Sequence, residues 1–329
     1  MDIASFMTHF EHTFLIEDRL GSGGCGKVYK AWHLRLQKHV VIKEYMNSLH
    51  DVTETRSNEV EALKNVKNTH LPQVLDFLSD GIRACTIMEF IEGDSFDKLI
   101  GNGHGFTEEQ VIKWYGQLAS ALTAIHKRDV CHRDIKPANI ILTPGGDVCL
   151  IDFNSALVGE SSSRLISRSL GYASPEQYEA FKRLGKARKE QHSGNTPCAF
   201  GIHVNEAETE LIEDDCITVS TESGDAGLSV LSDTGSPVPD TRLQHETLPG
   251  IDWKRSDIYS LAATMYHLLT GKRPHKRVEE AVTIPKPERF REGLVYVIER
   301  SMRLDPPERF SSSEELAQAL QDIQLKQVS

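Results

Sequence analysis

The octapeptide His132-Arg133-Asp134-Ile135-Lys136-Pro137-Ala138-Asn139 brings a carboxylate, an ammonium and a carboxamide together between Asp134 and Asn139. A carboxylate so placed can orient an acceptor hydroxyl and take its proton. Lys136 can neutralise a transferring phosphoryl group, and Asn139 can ligate magnesium. Eighteen residues after Asp134 stands Asp152, at the end of an apolar run and followed by Phe153. A carboxylate there suits a magnesium ion held across nucleotide phosphates. Upstream lies Gly21-Ser22-Gly23-Gly24-Cys25-Gly26-Lys27-Val28. Glycines at this spacing let a strand turn approach phosphates and offer backbone N–H groups. Gly-rich hairpins are common and the same spacing can open a dinucleotide-binding helix, but Val28-Tyr29-Lys30 reads as a second strand. Fifteen residues after Val28, Lys43 closes the apolar run Val40-Val41-Ile42. A lysine ending a buried strand needs a phosphate or carboxylate partner. A solvated, charge-rich turn accounts for any one of these stretches but not for all of them in this order.

The elements that must position these groups follow from periodicity. Residues 12–45 alternate apolar and polar around the glycine cluster, which predicts two or three strands. From Asp51 to Asn68 the spacing of Val60, Leu63 and Val66 is helical, and Val74 to Phe90 returns to strand-like runs. Thr107–His126 is helical in pattern, with Thr107 and Gln110 at capping-box spacing. Two short apolar runs follow, Val130–Leu142 and Val148–Phe153, and then helices over Asp257–Leu269, Gly293–Arg303 and Ser313–Ile323. Strands first and helices later predict an α+β molecule, a small sheet unit joined to a larger helical one.

At this point the sequence resembles a protein kinase of the Ser/Thr type, in the style found in bacteria, over residues 12–325 apart from an acidic stretch. The resemblance implies the two-lobed kinase fold: a small five-stranded lobe with one helix over 12–91 and a larger helical lobe over 92–325, with ATP and Mg2+ in the cleft. It implies that Glu59 pairs with Lys43, that Met88 is the gatekeeper, and that Glu89-Phe90-Ile91 is the hinge that bonds adenine through its backbone. Val28 and Ile141 would sandwich the ring, and Val41 stands where a smaller roof residue is usual. Ser174-Pro175-Glu176 resembles the end of the activation segment, Asp257 the buried aspartate that ties its helix to the catalytic loop, and Arg309 the partner of Glu176. Lys136 with Ser169 points to Ser/Thr acceptors in protein substrates. Arg133 before the catalytic aspartate implies control by phosphorylation, with Ser161, Ser162, Ser163 and Ser167 as candidates. The sequence departs from the family's Asp-Phe-Gly at Asp152-Phe153-Asn154. Asn tolerates a positive φ better than most residues, so activity is expected to survive with an altered balance of the Phe. The alternative, from a different class, is a pseudokinase or nucleotide-binding scaffold with little transfer. Small-molecule kinases of the aminoglycoside type share the fold but lack the Ser-Pro-Glu segment and the Asp257 and Arg309 anchors.

Composition narrows the setting. At 39% hydrophobic and 26% charged, the chain is typical of globular proteins. No apolar run is long enough for a membrane-spanning helix, and Met1–Glu11 lacks the pattern of a secretory signal. The six cysteines form no CxxC pair, which predicts reduced thiols and a cytoplasmic chain. The net charge of −11 argues against nucleic acid as partner. Between Glu190 and Gly250 lie twelve acidic residues and one basic residue, Arg242, so this stretch alone carries the whole imbalance. Rich in Ser, Thr and Gly and poor in large aliphatics, it reads as a disordered acidic insertion. Its hydroxyls beside carboxylates, among them Thr218, Ser220, Thr221 and Ser223, are expected autophosphorylation sites of a segment that modulates substrate access, the alternative being an inert loop. Phe181–Lys189, directly before it, carries five basic residues.

Overall fold

The computed structural model describes residues 13–23, 26–45, 60–79, 84–159, 169–191, 250–275 and 280–325. Five antiparallel strands form the first layer: β1 (Phe14–Gly23), β2 (Gly26–His33), β3 (Lys38–Tyr45), β4 (Val74–Ser79) and β5 (Ala84–Glu89), in the order β1-β2-β3-β5-β4. Period-2 alternation sets their faces. Tyr29, Ala31, Val40, Ile42, Cys85 and Ile87 point into one small core, capped at its margin by Phe14 and Ile16. Val41 and Lys43 occupy the opposite parity on β3 and face the other way. Of the helix expected over 51–68, the described part is the turn Val60–Leu63.

The second layer is helical. After the two-residue strand β6 (Asp94–Ser95) come α1 (Phe96–Gly101) and α2 (Glu108–His126). The capping box read from the sequence is present: Thr107 Oγ1 accepts from the Gln110 N–H at 3.3 Å, and Gln110 Oε1 accepts from the Thr107 N–H at 2.9 Å. Short strands β7 (Val130–Cys131), β8 (Ile140–Leu142), β9 (Val148–Leu150) and β10 (Leu157–Val158) follow. They pair as β6-β8-β9 and β7-β10. Then come α3 (Pro175–Gln191), α4 (Trp253–Thr270), α5 (Glu292–Ser301) and α6 (Ser313–Leu325).

Every residue of α4 from Ser256 to Leu269 is buried, so it is the central helix of this layer and packs against α2 and α5. Most of its buried polar groups find partners, as burial demands, although the Tyr259 hydroxyl has no hydrogen bond among the described residues. Ser256 Oγ meets Ser174 Oγ at 2.8 Å, and Thr264 Oγ1 donates to the Ser260 carbonyl at 3.0 Å. Two helices differ from the sequence expectation. α1 is too short to show a period, and α3 opens with Pro175 at its first position and continues through the basic run after Phe181 to Gln191.

Candidate active site

The pairing of β7 with β10, Cys131 opposite Leu157, brings the segment after β7 alongside the segment before β10. Between them the chain needs help, because Arg133 sits at φ +62° and a non-Gly residue there is strained. Asp257, from the second turn of α4, supplies it. Its Oδ2 accepts the His132 N–H at 2.7 Å and its Oδ1 the Arg133 N–H at 2.8 Å. His126 Nε2, from the end of α2, lies 3.0 Å from the same Oδ2. Gln177 Nε2, on α3, donates to the Arg133 carbonyl at 2.7 Å. The backbone at His132 and Arg133 is therefore held directly by α3 and α4, with α2 supporting Asp257.

On that frame stands Asp134. Asn139 Nδ2 donates to its carbonyl at 2.8 Å and to its Oδ2 at 3.1 Å. Lys136 Nζ is 3.5 Å from Oδ2, and Ser169 Oγ donates to Oδ1 at 2.7 Å. The Asn139 amide nitrogen is spent on Asp134, so its Oδ1 is the atom free to ligate a cation. Across the cleft, Lys43 Nζ on β3 donates to Asp152 Oδ1 at 3.0 Å. Asp152 Oδ2 accepts no hydrogen bond among the described residues, the second open oxygen of a hard-cation donor set. Burial pushes the Asp152 carboxyl up, but Lys43, with His132 and Lys136 behind it, outweighs burial and holds it below the usual carboxylate range.

Phe153 is fully buried, its ring edge-on to His132 with centroids 4.6 Å apart. Here the structure corrects the sequence reading of Asn154. The left-handed residue is Asp152, at φ +67°, and Asn154 is not among the residues of positive φ. Asn in place of Gly therefore costs no backbone strain in this conformation. Its Oδ1 is instead buried without a hydrogen-bond partner among the described residues.

The residues expected to face a nucleotide fall on β2, β3 and β5 of the five-stranded sheet and on β8. Val28 stands opposite Lys43, and Val41 opposite Met88. Met88 is buried in the main core, with Val41 packed at its margin. Glu89 ends β5, and Phe90 and Ile91 leave the ladder. Ile141 lies on β8, opposite Ser95 and Cys149. In the β1–β2 hairpin Gly21 pairs with Val28, Ser22 with Lys27 and Gly23 with Gly26. Gly26, at φ +139°, is demanded by the sheet itself, since a Cβ there would overlap the Glu44 carbonyl. Space around Gly21 is open. Gly24, Cys25 and Glu59 lie outside the described residues, as do Ser161, Ser162, Ser163, Ser167 and residues 192–249.

Arg133 directly precedes Asp134. It is buried, its Nε donates to the Ser155 carbonyl at 2.8 Å, and its guanidinium lies 5.1 Å from the Trp253 ring centre. Burial brings its pKa down to about 10, so it remains a cation. Arg309 grips Glu176 with two nitrogens, at 2.6 and 2.8 Å, and also donates to the carbonyls of Arg303, Leu304 and Arg255. Sequence reasoning missed His126, Gln177 and Trp253. Nothing local marks them, because the side-chain contacts that bring them to the site span 44 residues or more.

A family model described as the protein kinase domain matches residues 14–189. Over 180 residues the chain is 31% identical to a probable serine/threonine-protein kinase of Clostridium acetobutylicum, covering 52% of this chain and 27% of that protein. With the serine/threonine-protein kinase pkn2 of Myxococcus xanthus it shares 34% over 171 residues, 48% of this chain and 20% of the relative. A probable serine/threonine-protein kinase of Bacillus subtilis, YbdM, is 32% identical over 149 residues, 44% of this chain and 58% of its own length. The matched part thus spans about a quarter or less of the first two relatives' length.

Proposed function

The chain belongs to the protein kinase family, residues 14–189 of 329 matching its domain, and we propose that it transfers the γ-phosphoryl group of ATP to serine and threonine hydroxyls of proteins. The observation that carries this reading is the set of contacts on Asp134, above all the hydroxyl of Ser169 seated on its carboxylate at 2.7 Å. An alcohol is the kind of donor this carboxylate is built to accept. In the reaction Asp134 takes the acceptor hydroxyl proton as the oxygen bonds to phosphorus and the bridge to ADP breaks. Lys136, 3.5 Å from the same carboxylate, offsets charge on the moving group.

Asn139 Oδ1 and Asp152 would hold a divalent cation, magnesium in this reading, which supplies neutralisation of the phosphates. Lys43 is released from Asp152 to the phosphates when nucleotide binds, with Glu59 as its carboxylate partner. Gly21, Ser22, Gly23, Gly24, Cys25 and Gly26 cover the phosphates. Val28, Val41, Met88 and Ile141 enclose the base, and Glu89 and Ile91 bond it through their backbone. The same reading divides the chain into a small lobe over 12–91 and a large lobe over 92–325 that carries the 190–250 insertion. A cytoplasmic setting fits the use of ATP, and the buried Cys85, Cys131 and Cys149 form no disulfide. No helix among the described residues is long and apolar enough to cross a membrane.

The test is transfer from γ-labelled ATP to the chain itself and to generic acceptors of acidic and basic composition, followed by phosphoamino-acid analysis. Label on serine or threonine that disappears in Asp134→Ala is the expected result. Nucleotide binding without any transfer would leave the scaffold in its place.

A further inference from the structure

α4 ends at Gly271, and the turn after it, Lys272-Arg273-Pro274, returns against the segment that carries Ser169. The close approach is made at Gly171, which has φ +83°. A Cβ there would sit 2.8 Å from the Pro274 carbonyl oxygen and 3.0 Å from Arg273 Cγ, so only glycine admits the turn. The Arg273 guanidinium then lies over Tyr172, 5.5 Å from its ring centre. Tyr172 is fixed in turn by its hydroxyl, 2.7 Å from His267 Nδ1 on α4.

The residues this cation packs against, Gly171 and Tyr172, are two and three positions from Ser169, which touches Asp134 directly. Arg273 is exposed, and it has no ion pair or hydrogen bond among the described residues. Stacking on Tyr172 orients the guanidinium without neutralising it. The charged groups around it are few. Burial first, and Arg273 second, hold His267 below the usual histidine range, with Asp97 of α1 opposing, so His267 adds no charge near neutral pH. Lys272 and His275 are exposed beside it. The turn is thereby tied to the segment whose Ser169 hydroxyl sits on Asp134, the place the acceptor hydroxyl takes in the proposed reaction.

We infer that Arg273 is a specificity residue of this site, one that reads a carboxylate side chain carried by the substrate close to the acceptor hydroxyl. The site thereby selects acid-flanked serines and threonines over base-flanked ones. The inference rests on the phosphoryl-transfer reading above. The chain's own sequence offers such acceptors: Thr218, Ser220, Thr221 and Ser223 stand among Glu213, Asp214, Asp215, Glu222 and Asp225.

The experiment compares peptides with one serine in a neutral background and Glu or Lys at each flanking position in turn. The readout is the Glu-to-Lys ratio of kcat/KM within each protein variant, which cancels any loss of folded enzyme. At low salt the wild type is expected to favour Glu by about fivefold at one or more positions, as for an exposed ion pair, and less at high salt. Arg273→Glu should reverse the ratio, and Gly171→Ala, which pushes the turn away, should reduce it. An unchanged ratio in Arg273→Glu, or a wild-type preference for Lys, overturns the inference. The same peptides, fluorescently labelled, are titrated against full-length Asp134→Asn with and without the Arg273→Glu change. If the wild type transfers to no peptide, the transfer reading falls and this binding ratio alone decides the role of Arg273.

Discussion

At the scale of single residues, the Lys43–Asp152 pair is the contact whose chemistry is most exposed to test. Its two side chains are 12% and 34% exposed, so it is neither dry nor freely solvated. Lys43→Met should lower phosphoryl transfer by several orders of magnitude, since charge positioning is most of the catalysis in such a site. The same variant has a signature in stability. A carboxyl held below its unfolded value adds stability in full above the ordinary carboxylate range, about pH 4, and loses it as pH falls through the folded value. The gap in Tm between wild type and Lys43→Met should therefore be widest near neutral pH and close in acid. A gap independent of pH would assign the loss to packing instead. Asn154 gives a second prediction. Its stranded Oδ1 carries a desolvation cost without a hydrogen bond, and its φ needs no glycine. Asn154→Ala should raise stability by about 1 kcal/mol, a Tm gain of roughly 2–4 °C, with transfer retained. A fall in Tm would mean that the oxygen has a partner in solution.

At the scale of elements, α4 acts through one carboxylate on a loop it does not belong to. Asp257 holds two backbone N–H groups and His126, and the Arg133 backbone stays at positive φ because of it. Asp257→Asn turns one acceptor into a donor that faces these donors. Loss of about 2–4 kcal/mol is expected, together with a fall in turnover larger than the loss of folded protein explains. Arg309 ties α3 to the turn before α6 through Glu176 and three carbonyls. Arg309→Met leaves Glu176 without its partner and should cost about 3 kcal/mol, roughly 6–12 °C in Tm by thermal unfolding. Buried pairs contribute little when both members are replaced together, so Arg309→Met with Glu176→Leu should recover part of that loss.

At the scale of the whole molecule, the cores around β2, β3, α2 and α4 are built from residues on either side of the acidic stretch. The charge of −11 belongs to a stretch whose composition cannot supply a core of its own. Replacing residues 192–249 by a short Gly-Ser linker from Gln191 to Gly250 should leave Tm unchanged or raise it by a few degrees, since a shorter loop costs less entropy to close. A fall of more than about 5 °C would show that the stretch contributes to the fold. Kinetics on an external substrate before and after the deletion, with phosphate mapped in the intact chain, separate a regulatory segment from an inert one.

The sequence by itself determined what is local. The order of the glycine turn, Lys43, the 132–139 octapeptide and Asp152 pointed to the family. Period-2 and helical spacing placed the strands and most helices, and the Thr107 capping box began α2 where it was read. Residue type and spacing suffice there because each signal is a contact within a few positions. The tertiary structure decided which lysine meets which carboxylate across 109 residues, and that Asp152 rather than Asn154 takes the left-handed backbone. It also decided that Arg133 bonds the Ser155 carbonyl and lies by the Trp253 ring, and that Gly171 admits Arg273 beside Tyr172. Each of these is set by a partner remote in the chain. A strained φ persists only where distant hydrogen bonds over-determine it, and a cation stays unpaired only where no folded neighbour happens to reach it. Neither condition leaves a mark on local spacing.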